Sequence, residues 1–208
     1  MAAITWYFDF VSPFSYLQFA TYPDLMRRPE VAIKPVLFAG LLAHWGHKGP
    51  AELPTKRRHT YRYCVWDAAR RGVPFRFPPA HPFNPLHALR LAIALGAGYD
   101  VVRTIFEFTW KEGRSPAEEW PALCERLGVA DPDRLTGDAA VKGALRANVD
   151  EAIAAGVFGV PTFAVDGELF WGVDATPMFL DYLADRALFE SEAMRRVDAL
   201  PVAAERKA

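Results

Sequence analysis

The sequence predicts an α/β fold in which one mixed sheet takes its strands from the two ends of the chain, with an all-helical block inserted between them. Three observations predict it. Short β-branched and aromatic runs occur early, at Ile4–Phe10 and Val31–Phe38, and again late, at Thr162–Asp166 and Glu168–Trp171. Between Pro54 and Ala155 the chain shows at least four helical patterns and no convincing strand. The stretch Phe14–Met26, between the first two strands, is helical and long enough for a right-handed parallel crossover.

Each element has a local reason. The first strand is apolar except for Asp9. Ser12 then suits an N-cap, and Pro13 the first helical position, where a missing N–H costs nothing. After the second strand a helix is expected at Thr55–Arg71, ended by Gly72 and Pro74. A loop rich in proline and aromatics, Phe75–Pro85, follows. Helices are expected at Leu86–Leu95, Asp100–Lys111, Pro116–Leu127 and Asp138–Ala155, punctuated by Gly96, Gly98, Gly113 and Gly128. Asp166-Gly167 is a hairpin turn between the last two strands, and a helix at Thr176–Ala187 closes the pattern. The polar tail beyond Arg195 is expected to fray. The chain thus divides into a discontinuous domain, residues 1–40 and 156–208, and a helical insertion, residues 41–155.

Composition narrows the function. With 208 residues, 51% hydrophobic and 24% charged, the chain suits one compact core, or one core with a large insertion. Lys+Arg 24 against Asp+Glu 25 leaves a net charge of −1, which argues against a nucleic-acid or membrane-surface protein. The basic run Lys56-Arg57-Arg58-His59 reads as a solvated helix face. No apolar stretch approaches the ~20 residues of a membrane span, and the opening Met1–Tyr7 lacks the basic start of a signal peptide. Cys64 and Cys124 lie in helical patterns and read as buried, inert thiols, so a reducing cytoplasm is expected. His44, His47, His59, His81 and His87 show no metal-ligand spacing, and no metal is expected. His44 and His47, placed on a loop or short turn, would line a pocket or lie on the surface.

Three segments carry the chemistry: Phe8-Asp9-Phe10-Val11-Ser12-Pro13-Phe14-Ser15-Tyr16-Leu17, Phe158-Gly159-Val160-Pro161-Thr162, and Trp171-Gly172-Val173-Asp174. Ser12 stands at a helix N-terminus, where backbone N–H groups and the helix dipole favour an anion. The plain alternative is that Ser12 only caps the helix, that Val160-Pro161 is an ordinary trans turn, and that Asp174 caps the last helix.

In combination these segments resemble the 2-hydroxychromene-2-carboxylate isomerases and kappa-class glutathione transferases. That branch of the thioredoxin-like fold is similar to DsbA-type oxidoreductases with a helical insertion. The similarity runs to about Leu183. It implies a thioredoxin-like β-α-β … β-β-α fold with a large helical insertion, in which Ser12 and Ser15 stand where a redox cysteine pair would stand, so dithiol exchange is lost. It implies glutathione as cofactor, with Ser12 donating a hydrogen bond to its thiolate. Val160, before a cis Pro161, would pair with the cysteinyl backbone. Trp171, Gly172, Val173 and Asp174 would hold the γ-glutamyl end, Asp174 pairing with its ammonium. On the substrate side the family's lysine falls near Leu42 and its Asn-Arg pair at Glu52-Leu53, so Lys48, Lys56 and Arg57 are the nearby cations. The aromatic of the proline-rich loop is Phe83, without a phenolic hydroxyl, and Asn84 is retained.

The reaction implied is glutathione-dependent cis/trans isomerisation of a small unsaturated aromatic carboxylate, by a homodimer. The alternatives are a kappa-type transferase and a non-catalytic peptide-binding module.

Overall fold

The computed structural model describes residues 3–204. The first two residues of the N-terminal reading and the last four of the polar tail lie outside the described residues. The first strand, β1 (Ile4–Phe8), stops before the expected Phe10. The following helix is divided into α1 (Pro13–Thr21) and α2 (Pro23–Met26). Pro23 explains the division: it has no N–H to donate, and its ring clashes with the carbonyl one turn back.

Strand β2 is Val31–Pro35, three residues shorter than expected. The chain turns at Val36 and enters a helix absent from the sequence reading, α3 (Phe38–Trp45). Phe38, Leu41, Leu42 and Trp45 supply its 3.6-residue period. Hence His44 lies on a helix, not a loop, and the boundary drawn at residue 40 falls inside α3. We therefore take the helical insertion to begin beyond Trp45.

The insertion holds α4 (Pro54–Arg71), α5 (Leu86–Ala94) and α6 (Tyr99–Phe106), with α6 widening into a π-helical turn over Glu107–Lys111. Helix α7 (Trp120–Arg126) starts four residues later than expected. A helix begun at Pro116 would have met Pro121 in its second turn; instead Pro121 sits in the first turn of α7, where it is tolerated. A short helix not foreseen, α8 (Pro132–Gly137), is capped by Asp131, and α9 (Ala139–Ala154) by Asp138.

Strands β3 (Thr162–Val165) and β4 (Glu168–Trp171) form the hairpin, with Asp166 at φ 55° and Gly167 at φ 86° in its turn. Helix α10 (Thr176–Ala184) ends three residues early, where Asp185 opens a 3₁₀ turn over Arg186–Glu190. The tail does not fray at Arg195: α11 (Glu192–Asp198), capped by Ser191, carries helix through it.

The sheet order is β2-β1-β3-β4, with β1 and β2 parallel and the other neighbours antiparallel. Strand alternation sends Ile4, Trp6 and Phe8 to one face and Tyr7 to the other. On the first face Trp6 stacks on Phe8 and both meet Phe106 of α6, so the insertion and the sheet share one core. Phe163 of β3 stacks on Phe179 of α10 at 4.3 Å. On the second face Tyr7 packs with Leu41 of α3 and Ala152 of α9. Among the described residues no helix is long and apolar enough to cross a membrane.

Candidate active site

The site forms where the β1–α1 loop meets the loop before β3. Ser12 is the N-cap of α1, and its Oγ accepts from the Ser15 N–H at 3.2 Å. The same hydroxyl donates to the Val160 carbonyl at 3.5 Å. That bond is long and weak, so the hydroxyl hydrogen is available to a better acceptor. The Val160–Pro161 peptide is cis. Among the described residues the Val160 N–H has no backbone partner, because β3 pairing begins only at Thr162. A donor, a carbonyl and a hydroxyl thus converge at the N-terminus of α1, where the dipole favours negative charge. Ser15 is fully buried, and among the described residues its hydroxyl has no hydrogen-bond partner.

The third segment joins the same region. The Gly172 N–H donates to the Pro161 carbonyl at 2.8 Å. Gly172 has φ +92°, and a Cβ there would lie 2.5 Å from Asp174 Oδ1. Trp171 packs edge-on against Phe158 and covers Gly159, where a Cβ would meet its indole nitrogen at 2.5 Å. Helix α10 is capped by Ala175, not Asp174. Among the described residues nothing hydrogen-bonds the exposed Asp174 carboxylate.

Residues the sequence reading passed over hold these loops in place. Gln18 of α1 is fully buried: its Oε1 accepts from Trp6 Nε1 at 2.6 Å, and its Nε2 donates to the Gly172 carbonyl and to Thr176 Oγ1. It clamps α1 to the start of α10. Asp9, also fully buried, accepts from the Val11 N–H at 3.0 Å and from the Phe38 N–H at 2.9 Å. The second bond satisfies a donor at the open N-terminus of α3. Burial raises its carboxyl from 3.8 to about 7, against the opposing pull of three backbone donors. An isolated acid in an apolar strand was the visible signal.

The histidines divide. His44 and His47 are exposed. His81, to which the sequence reading gave no role, is half-buried and bonded through both ring nitrogens, to the Val11 carbonyl and to the Tyr61 hydroxyl. Trp110, in the π-helical turn, donates to the Phe10 carbonyl at 2.8 Å.

The substrate-side candidates are less closely gathered. Lys48 follows α3 and Lys56 lies in the first turn of α4; both are exposed and, among the described residues, make no ion pair or side-chain hydrogen bond. Lys56 lies seven residues before Tyr63, hence on the same face of α4, and Tyr63 meets Phe14 of α1 at 6.1 Å. Phe83 packs on Trp110 and His81. Asn84 spends its side-chain oxygen on the Leu86 N–H, opening α5. Cys64 and Cys124 are free and buried, and burial pushes the Cys64 thiol up to about 12. Among the described residues no three His, Cys, Asp or Glu side chains are arranged to hold a metal.

Comparison with known proteins matches residues 3–184 to the DSBA-like thioredoxin domain model. A 2-hydroxychromene-2-carboxylate isomerase of Sphingobium xenophagum is 30% identical, covering 88% of this chain and 98% of the relative. Glutathione S-transferase kappa 2 of Caenorhabditis elegans is 28% identical, covering 88% of this chain and 92% of the relative. The solved structure of a 2-hydroxychromene-2-carboxylate isomerase superposes with a TM-score of 0.74 at 24% identity, covering 95% of this chain and 99% of that one.

Proposed function

The chain belongs to the DSBA-like thioredoxin domain family, and we propose that within it this protein is a glutathione-dependent isomerase acting on a small unsaturated aromatic carboxylate. The relatives named as isomerases and as a kappa transferase support that class. The observation that carries the reading is the meeting of the Ser12 hydroxyl, at the N-terminus of α1, with the Val160 carbonyl, on a residue whose N–H has no backbone partner among the described residues.

The residues fit the tripeptide along its length. Val160 offers one donor and one acceptor on an open backbone edge, the pattern that pairs with an extended peptide. The unpaired Asp174 carboxylate suits an ammonium group, and Trp171, Gly172 and Val173 wall that end. Glutathione, when bound, supplies a thiol that adds reversibly to a conjugated double bond and so permits rotation about it. The protein's part is to lower the cost of the thiol's charge. Ser12 donates from its hydroxyl once that turns from the Val160 carbonyl, and the first N–H groups of α1 contribute the fixed positive end of the dipole. Lys56, on the face of α4 that reaches Phe14 through Tyr63, is our choice for the substrate carboxylate, with Lys48 second. Phe83 forms part of the aromatic wall, and Asn84 shapes its border. With two buried free thiols, the protein suits a reducing cytoplasm; we place it there as a homodimer.

Titration with reduced glutathione, followed by thiolate absorbance near neutral pH, tests the reading. Wild type is expected to show a thiolate signal that Ser12→Ala loses, with turnover falling at least tenfold while binding weakens less. Absence of glutathione binding by wild type would overturn the reading in favour of a peptide-binding module. The kappa-type relative supports a second reading, a transferase. Mass analysis of products separates the two, since a transferase consumes glutathione stoichiometrically and an isomerase returns it.

A further inference from the structure

The loop from β1 to α1 belongs to no ladder, so its backbone polar groups must find partners elsewhere. Three side chains supply them in succession. Trp110 Nε1 donates to the Phe10 carbonyl at 2.8 Å, Asp9 Oδ1 accepts from the Val11 N–H at 3.0 Å, and His81 Nε2 meets the Val11 carbonyl at 2.8 Å. The last of these sits on the peptide group that leads into Ser12. We propose that His81 is a positioning residue for the Ser12 site: its Nε2–H, held on the Val11 carbonyl, sets the peptide from which the Ser12 hydroxyl projects.

The chemistry of the partners fixes the tautomer. A carbonyl only accepts, so Nε2 carries the hydrogen. Burial holds the ring below the usual histidine value, against the opposing pull of the Val11 bond, so near neutral pH it is uncharged and Nδ1 is bare. The Tyr61 hydroxyl lies 2.6 Å from Nδ1 and 2.7 Å from the His81 carbonyl, so its one hydrogen is shared between these two acceptors. Phe77 and Trp110 hold the ring edge-on at centroid distances of 5.7 and 5.4 Å, and Phe83 packs at 6.1 Å. Among these neighbours the titratable group is the Tyr61 hydroxyl, which burial raises above the usual tyrosine value, with Arg57 of the same helix pulling it down and Cys64 pushing it up. Without the Nε2–H, the Val11 carbonyl is left bare beside the N-terminus of α1. Its negative end then opposes any anion drawn to that terminus, and the loop is free to rotate Ser12 away from Val160.

This inference rests on the reading of Ser12 as donor to a thiolate, and its test separates the two. His81→Phe keeps the aromatic packing and removes both hydrogen bonds. His81→Gln keeps an Nε2–H at similar reach. Each variant is titrated with reduced glutathione across pH, following thiolate absorbance, and with S-methylglutathione, which has no ionisable thiol, by calorimetry. For His81→Phe the bound thiol is expected to need a pH about one unit higher, so that about tenfold less thiolate is present near neutral pH. Its S-methylglutathione affinity is expected to stay within about twofold of wild type, and His81→Gln is expected to stay near wild type in both.

A His81→Phe titration matching wild type overturns the proposal while leaving the Ser12 reading intact, as does equal loss in His81→Gln. Wild type that binds neither ligand overturns both. Should His81→Phe fail to fold, Tyr61→Phe, which takes the hydroxyl from both Nδ1 and the His81 carbonyl while keeping the Nε2–H, is expected to raise the thiol's pH midpoint by a smaller amount; an unmoved midpoint overturns the proposal.

Discussion

Replacing Asp9 by Asn should change how stability depends on pH more than it changes stability itself. The carboxyl is fully buried on β1 and titrates at about 7 in the fold, against 3.8 when free. Desolvation of the charged form is the main cause, and the N–H groups of Val11, Phe38 and Phe10 oppose it. The folded carboxyl is raised, so the folded chain holds a proton that the unfolded chain has lost between those two values. Stability from this group is therefore full below about pH 4 and declines as pH rises through about 7. Roughly 3 pH units at about 1.4 kcal/mol each make a total of about 4 kcal/mol, of which about 3 kcal/mol falls between pH 5 and pH 8. Asn does not titrate. Its NH₂ also faces at least one of these backbone N–H donors, a pH-independent loss of about 1–3 kcal/mol.

Urea unfolding, followed by fluorescence and circular dichroism, should be run on both proteins from pH 5 to pH 8. Other titrating groups are shared and cancel in the difference. Asp9→Asn should gain about 3 kcal/mol on wild type between pH 5 and pH 8. A difference that stays constant within about 1 kcal/mol would refute the assignment of a buried, largely protonated acid.

Two further changes test the proposed glutathione-binding end of the site. Gly172→Ala forces a Cβ onto a residue at φ +92°, with Asp174 Oδ1 only 2.5 Å away; thermal denaturation should show a loss of about 1–2 kcal/mol, and calorimetry a weaker glutathione affinity as Asp174 is displaced. Asp174→Asn removes an exposed charge, so the expected loss is modest, about 1 kcal/mol or roughly fivefold in glutathione affinity. A glutathione analogue lacking the α-amino group should bind wild type and Asp174→Asn equally, and a persistent difference with that analogue would remove Asp174 from the ammonium site.

What was legible in the sequence depended on the range of the interaction. Strand identity and the two-ended sheet rest on short apolar runs and one Asp-Gly turn, all local, whereas the β2-β1-β3-β4 order was not read and rests on β1 pairing with the distant β3. Where a local signal was present but underweighted, the elements shifted. Pro23 divides α1 from α2, Pro121 delays α7, and the apolar period of α3 was hidden because Phe38 directly follows a strand of similar composition. Ser12, Val160 and Gly172 were visible because each sits in a compact motif.

The residues that support those motifs carry no such mark. Gln18 reaches Gly172 across 154 positions, His81 reaches Val11 across 70, and Asp9 caps α3 from 29 residues away. Their identities are set by backbone groups that the loops cannot satisfy for themselves. Because the β1–α1 loop has no ladder of its own, its open groups are met partly from within, by Asp9 on the Val11 and Ser12 N–H groups, and partly by side chains from distant segments, Trp110 on the Phe10 carbonyl and His81 on the Val11 carbonyl. A site built at the N-terminus of a helix will in general expose its functional hydroxyl to sequence reasoning, and conceal the residues that hold the loop in front of it.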